Sequence, residues 1–249
     1  MKSWIRRQST TTVVFGYTAW VAVMFVAAQV LVGVIIGLLA LAGVPVEKLN
    51  TVTGILWASV ASYGLALAAV IWLPKKLFGI TTNWREVGLD RLPKWLDLLL
   101  GPVVFVPYIF VSGIVLTLVS NLAPSVDWAE KQDLGFSAGI VGVELGVAFV
   151  LLVILAPLVE ETLFRGYFFG KLRRRTNLII SSLVVSLVFG VLHMQINVAV
   201  DVFVLSMALC MLREFTGSIW AGVLLHMTKN GFAFYVLFIN PSFLSTLGG

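Results

Sequence analysis

The chain has 249 residues, 59% hydrophobic and 12% charged, with a formal net charge of +5; a soluble globular domain carries roughly 25% charged residues. Its mean hydropathy is +1.02, and apolar runs repeatedly reach the ~20 residues that a helix needs to cross a bilayer. That excludes a large soluble core and a basic nucleic-acid binder, so no nucleic-acid partner is expected and the positive charge reads as topology. The fold class that follows is an all-α, polytopic transmembrane helical bundle, one membrane domain over 1–249.

In chain order, Lys2, Arg6 and Arg7 precede an apolar stretch from Val13 to Leu41, far longer than a signal-peptide core of about 7–15 residues. It is expected to be a retained first span. Gly33 and Gly37 form a GxxxG within it, which reads as close helix packing rather than a dimer interface. Further spans are expected near 52–73, 96–120, 139–170, 178–194, 196–212 and 216–240, about seven membrane helices in a range of six to eight. Cys210, the lone cysteine, lies in an apolar run and has no disulfide partner within the chain.

Positive charge collects at the amino terminus, in 74–97 (Lys75, Lys76, Arg85, Arg91, Lys94) and in 171–175 (Lys171, Arg173, Arg174, Arg175), whereas 121–137 is acidic. The positive-inside rule therefore puts the amino terminus and both basic segments in the cytoplasm. Segment 74–97 is expected to be cytoplasmic and to lie along the interface, with Trp84 and Trp95 in the aromatic belt.

Ionisable residues at membrane depth usually face a bundle interior or wet cavity and are candidates for function. Here they are Glu144, Glu160, Glu161, Arg165, His193, Asp201, His226 and Lys229, and they include both histidines of the chain. Glu144 and Asp201 fall near outer span ends and are expected to reach headgroups. Lys229 is expected to pair with an acid or to snorkel.

Adjacent helix residues point about 100° apart, so Glu160 and Glu161 face different partners. Arg165 follows Glu161 by four residues in the acid-before-base order that favours pairing. Glu161 with Arg165 is thus structural support, and Glu160 remains free to aim elsewhere. Pro157 removes a backbone donor beside them and opens local room.

Phe189 with His193, and His226 with Asn230, share the same four-residue spacing and so a helix face. Phe189 reads as packing that borders the site. At ~1.5 Å per residue, Glu160 lies about 16 Å in from Lys171, His193 about 24 Å from Asn177 and His226 about 15 Å from Thr216. These depths are compatible with one site below the cytoplasmic face, between helices of the second half.

The motifs EExxxR (Glu160, Glu161, Arg165), FxxxH (Phe189, His193) and HxxxN (His226, Asn230), in this order, resemble those of the CPBP family of intramembrane proteases, also called Abi. That family contains the CAAX prenyl endopeptidases and the bacterial bacteriocin-processing or immunity proteins. The resemblance spans roughly 139–240, the expected catalytic core. It implies an intramembrane endopeptidase, glutamate- or metal-dependent, acting on a membrane-associated protein or peptide, a prenylated CAAX substrate or a propeptide, from a multi-pass position in the bilayer of a bacterial plasma membrane.

Hydrolysis of a peptide needs an activated water, donors for an oxyanion and a proton for the leaving amine. In this reading Glu160 is the base and then the acid, His193 holds the same water or a metal, and His226 and Asn230 offer donors to the oxyanion. Glu160, His193 and His226 also form an acceptable catalytic Zn2+ set with an open position, so both versions stay open. GFSAG at 135–139 matches a GxSxG nucleophile elbow, but that elbow needs a strand, a sharp turn and a helix, whereas here it leads into a membrane helix from the outer side, away from the expected site. Rival readings are a proton- or ion-coupled transporter or channel, which would more often show internal repeats, and a catalytically idle immunity protein of the same fold, which would usually have lost a motif residue.

Overall fold

A computed structural model describes residues 9–130, 132, 134–136 and 139–243. The residues Lys2, Arg6 and Arg7 lie outside the described residues, as do Ser137 and Ala138 of GFSAG. Every long element is a helix: α1 (Thr10–Leu41), α2 (Val52–Phe78), α3 (Trp84–Val87), α4 (Trp95–Leu122), α5 (Gly142–Leu172), α6 (Leu178–Val191), α7 (Ile196–Thr216) and α8 (Trp220–Ile239). Six of them are long and apolar enough to cross a membrane; α6, with 14 residues, and α3, with 4, are shorter. The protein is an integral, multi-pass helical bundle, with six full-length spans and one short helix in place of seven equal ones.

Helix ends follow their local chemistry. Ser9, Thr51, Asn83 and Asn177 each accept from a backbone N–H of the first turn they precede, which satisfies a donor that no helix can satisfy itself. Gly79 and Gly217 end α2 and α7 in the left-handed conformation that a residue without Cβ adopts at least cost.

α5 sits at the centre and touches α1, α2, α6, α7 and α8, while α4 packs on α7 and α8 and α6 forms a hairpin with α7. Its Phe164, Tyr167, Phe168 and Phe169 belong to the main core with Phe189 of α6 and Val21 and Ala28 of α1. The outward faces of α1 and α4 carry exposed apolar side chains such as Phe15, Val30, Val103 and Phe110, as lipid-facing helices do. Gly33 and Gly37 belong to that outward face: an added Cβ at either would meet nothing within 4 Å. Among the described residues nothing packs closely on this GxxxG.

Prolines rearrange the helical ladders. Pro74 lacks the N–H that an α register would offer to the Val70 carbonyl, and the Trp20 indole donates to that oxygen instead at 3.3 Å. In α5 the ladder widens to a five-residue π register over Val150–Leu155 and again over Thr162–Phe169. Pro157, Glu160 and Glu161 occupy the short α segment between these two stretches, Ala156–Glu161.

The segment that was expected to lie flat along the interface docks under the bundle. Glu86 accepts from Lys171 and pairs with Arg174, at 3.0 and 3.1 Å. Arg213 donates to the Glu86 carbonyl, Ser218 to that of Gly88 and the Trp220 indole to that of Arg91. The basic ends of α5 and α7 and the start of α8 are thereby closed by one connection, while Trp84 and Trp95 stay exposed at its rim. Burial alone would raise the Glu86 carboxyl, but its bonds to Lys171 and Arg174 outweigh that and hold it below the usual carboxylate range.

Candidate active site

The EExxxR motif acts as the spacing predicts. Glu161 and Arg165 are both fully buried, with Arg165 Nη1 donating to Glu161 Oε1 at 2.8 Å. Glu161 also serves a second partner: Nδ1 of His226 donates to the same oxygen at 3.1 Å. Room for this carboxylate comes from Gly222, one turn before His226, where a Cβ would stand 3.0 Å from Glu161 Oε2. Glycine is required there by the close approach of α8 to the acid.

Phe189 has more contacts than a packing residue needs. The Arg165 guanidinium lies over its ring at 4.4 Å, and both histidines meet it edge to face, His193 at 4.8 Å and His226 at 6.0 Å between centroids. One aromatic ring thus braces the buried cation and both imidazoles.

His193 was expected on a helix face and stands instead in the turn after α6, since α6 ends at Val191. The next residue, Met194, has φ of +58°, a left-handed conformation that reverses the chain into α7. The turn is held from the far connection: Gln195 and Asn197 both donate to the Glu130 carbonyl, and Asn197 also to that of Trp128. Nδ1 of His193 donates to the Phe189 carbonyl at 2.7 Å, so a neutral ring keeps Nε2 as an acceptor.

Glu160 has a different environment from its neighbour. Its side chain is 13% exposed where that of Glu161 is 0%. It lines a cavity of about 370 Å³ together with His193, His226, Asn230 and Tyr63. Oε2 of Glu160 is 3.9 Å from His226 Nε2, and the Tyr63 hydroxyl donates to Oε1 at 3.4 Å. Tyr63 was not singled out in the sequence; it carries no motif and reaches the site from α2, 97 residues away in the chain. Glu160 and His193 share the cavity wall.

Asn230 is fixed by the irregularity in α5. The N–H of Ala156 bonds to the Leu151 carbonyl, five residues back. In that register the Leu152 carbonyl would pair with residue 157, which is a proline and has no N–H. Nδ2 of Asn230 fills the gap, donating to Leu152 O at 2.9 Å. An amide nitrogen carries two protons, and the second is left for the cavity.

From these groups the cavity runs along α5 past Ala156 and Leu152 and along α8 past Phe234 and Phe238 to Gln132 and Leu134. It therefore leads from the polar floor towards the end of the bundle opposite the basic segments. Of the other intramembrane ionisable residues, Asp201 is turned inward rather than to headgroups: it accepts from Tyr108 and Ser112 and pairs with Lys229 at 3.4 Å. Glu144 is half-buried near the start of α5.

Zinc can be tested against the donors present. Nδ1 of His193 and of His226 each donate to another acceptor, which leaves both Nε2 atoms available, but among the described residues no three His, Cys, Asp or Glu side chains converge as a metal set. As arranged, Glu160, His193 and His226 do not fit a tetrahedral ion with ligands at about 2.0–2.2 Å.

Comparison with known proteins bears on the same stretch. The family model described as "Type II CAAX prenyl endopeptidase Rce1-like" matches residues 142–232. The chain is also 29% identical over 79 residues to "Putative membrane peptidase YdiL" of Bacillus subtilis (strain 168), a match that covers 32% of each protein. The matched part thus spans about a third of that relative's length. No solved structure matches. All three motifs fall inside this match, so the similarity to the Rce1-like CAAX prenyl endopeptidases lies in the segment that builds the cavity floor.

Proposed function

We propose that the protein is an intramembrane endopeptidase that hydrolyses a peptide bond of a membrane-associated substrate, lipidated at a CAAX end or part of a propeptide. The observation that carries this reading is the disposition of Glu160. It is a carboxylate on a cavity wall with Tyr63 at one oxygen and His226 near the other, while His193 and Asn230 line the same space.

In the proposed reaction a water lies between Glu160 and Nε2 of His193. Glu160 takes its proton as the oxygen attacks the carbonyl carbon, and the carbonyl becomes an oxyanion. The second Nδ2 proton of Asn230 donates to that oxyanion, and so does Nε2 of His226. With Nδ1–H of His226 committed to Glu161, Nε2 donates only when the ring is doubly protonated. Glu160 then returns its proton to the leaving amine as the C–N bond breaks, which restores the carboxylate.

The test is terminal-fragment proteomics on membranes that contain the wild-type protein, Glu160→Gln or His193→Ala at equal abundance. New termini are expected with the wild type alone, and they name the substrate and the bond together. Fragments that persist at wild-type levels with Glu160→Gln would remove Glu160 as the base.

A further inference from the structure

The cavity holds one charge that the proposed hydrolysis leaves unused. Lys229 lies on its wall between His226 and Asn230 in sequence, and it is the one lysine or arginine among the described lining residues. Much of the remaining wall is apolar, with Phe25, Phe164, Phe234 and Phe238 among its side chains. A cation placed in such surroundings is costly to keep unless it has a task.

Pairing with Asp201 uses only part of its capacity. Asp201 Oδ1 already accepts from Tyr108 at 2.6 Å and from Ser112 at 2.5 Å. The ammonium stands 3.4 Å from Oδ2, longer than the ~2.7–2.9 Å of a tight charge-assisted bond. An ammonium has three donors, and Asp201 engages one of them loosely. Both side chains keep some exposure, 21% for Lys229 and 23% for Asp201, so the remaining donors are accessible from the cavity.

Position gives this cation a meaning. Lys229 is three residues after His226, one helical turn or about 5 Å further along α8, in the direction in which the cavity extends. A group bound there sits beside the carbonyl that the polar floor would polarise. We infer that Lys229, steadied by Asp201, is a recognition site for a carboxylate carried by an otherwise apolar peptide close to the bond that is cut. This rests on the peptidase reading for its substrate class. The carboxylate belongs either to the peptide's free carboxyl terminus or to an acidic side chain, and both present the same two oxygens to the ammonium.

Binding tests this apart from catalysis. The full-length protein with Glu160→Gln, purified into lipid nanodiscs so that bound peptide is not consumed, is titrated with three fluorescent apolar heptapeptides. One has a free carboxyl terminus, one a terminal amide, and one a terminal amide with a single glutamate. At least one acid peptide is expected to bind about tenfold tighter than the plain amide, the size of a charge-assisted hydrogen bond, and the tighter of the two identifies the source. Adding Lys229→Gln should bring acid and amide to the same affinity, and Lys229→Arg should retain the preference.

Should Lys229→Gln fail to fold, the double variant Lys229→Gln/Asp201→Asn removes both charges and leaves an oxygen for Tyr108 and Ser112. Equal affinity for all three peptides, no binding of any, or a preference that survives loss of the ammonium overturns the site. Intact acid preference in a wild-type protein that cuts nothing would instead overturn the peptidase reading and leave the carboxylate site standing.

Discussion

One oxygen of Glu161 serves two helices: Oε1 accepts from Arg165 within α5 at 2.8 Å and from Nδ1 of His226 on α8 at 3.1 Å. The pair expected from spacing along one helix is therefore also the bond that orients a histidine on another.

Glu161→Gln should cost both stability and activity. Removing one member of a buried ion pair leaves the other charge uncompensated, at about 3–5 kcal/mol, and Arg165 is fully buried. Melting in detergent should fall markedly, together with cleavage. A variant that melts normally and yet cuts nothing would show that Glu161 takes part in the chemistry.

Pro157→Ala should separate stability from activity in the opposite sense. Alanine restores a backbone N–H to the Leu152 carbonyl that Asn230 now satisfies, and it relieves a proline inside a helix. The protein should melt no lower than wild type while kcat falls by up to ~100-fold, the value of one misplaced oxyanion donor. Unchanged kcat would mean that Asn230 holds its position without the proline.

Acid should loosen the basic end before the rest. Glu86 is held below the usual carboxylate range against the opposing effect of its burial. Its stabilising contribution is therefore fully present above the ordinary glutamate value of ~4.3 and is lost as pH falls through its lower folded value. Hydrogen exchange over residues 80–92 should accelerate in that window, and Glu86→Gln should show fast exchange at neutral pH with little further change in acid. Exchange that is independent of pH in the wild type would remove Glu86 as the anchor.

Metal depletion should leave turnover intact. Elemental analysis of chelator-treated protein, measured beside its cleavage rate, is expected to find activity without stoichiometric zinc. Zinc at one per chain whose loss and return track the rate would reinstate the His193, His226 and Glu160 set.

The bundle and the family motifs were legible because composition and four-residue spacing are properties of a chain read locally. Glu161 with Arg165, and the inward location of both histidines, follow from that periodicity. Tyr63 was not legible, since a lone tyrosine in an apolar helix has no signal until α2 packs beside α5. Nor was the inward turn of Asp201, whose partners come from α4 and α8. Proximity to a span end suggested headgroups, and tertiary hydroxyls took their place. The spacing of Phe189 and His193 predicted a shared helical face; the helix stops at Val191, because the following residues reverse direction through a left-handed Met194.

The brevity of α6 also acts on the lipid around it. Fourteen residues rise about 21 Å, against a hydrocarbon core of about 30 Å, so the α6–α7 turn is a local mismatch of some 9 Å. A bilayer meets such a defect by thinning or by admitting polar groups, and here the connection after α4 reaches in, its Trp128 and Glu130 carbonyls bonded to the turn. A stunted helix thus ends in polar backbone and a histidine at a level where a longer one would have presented only apolar side chains.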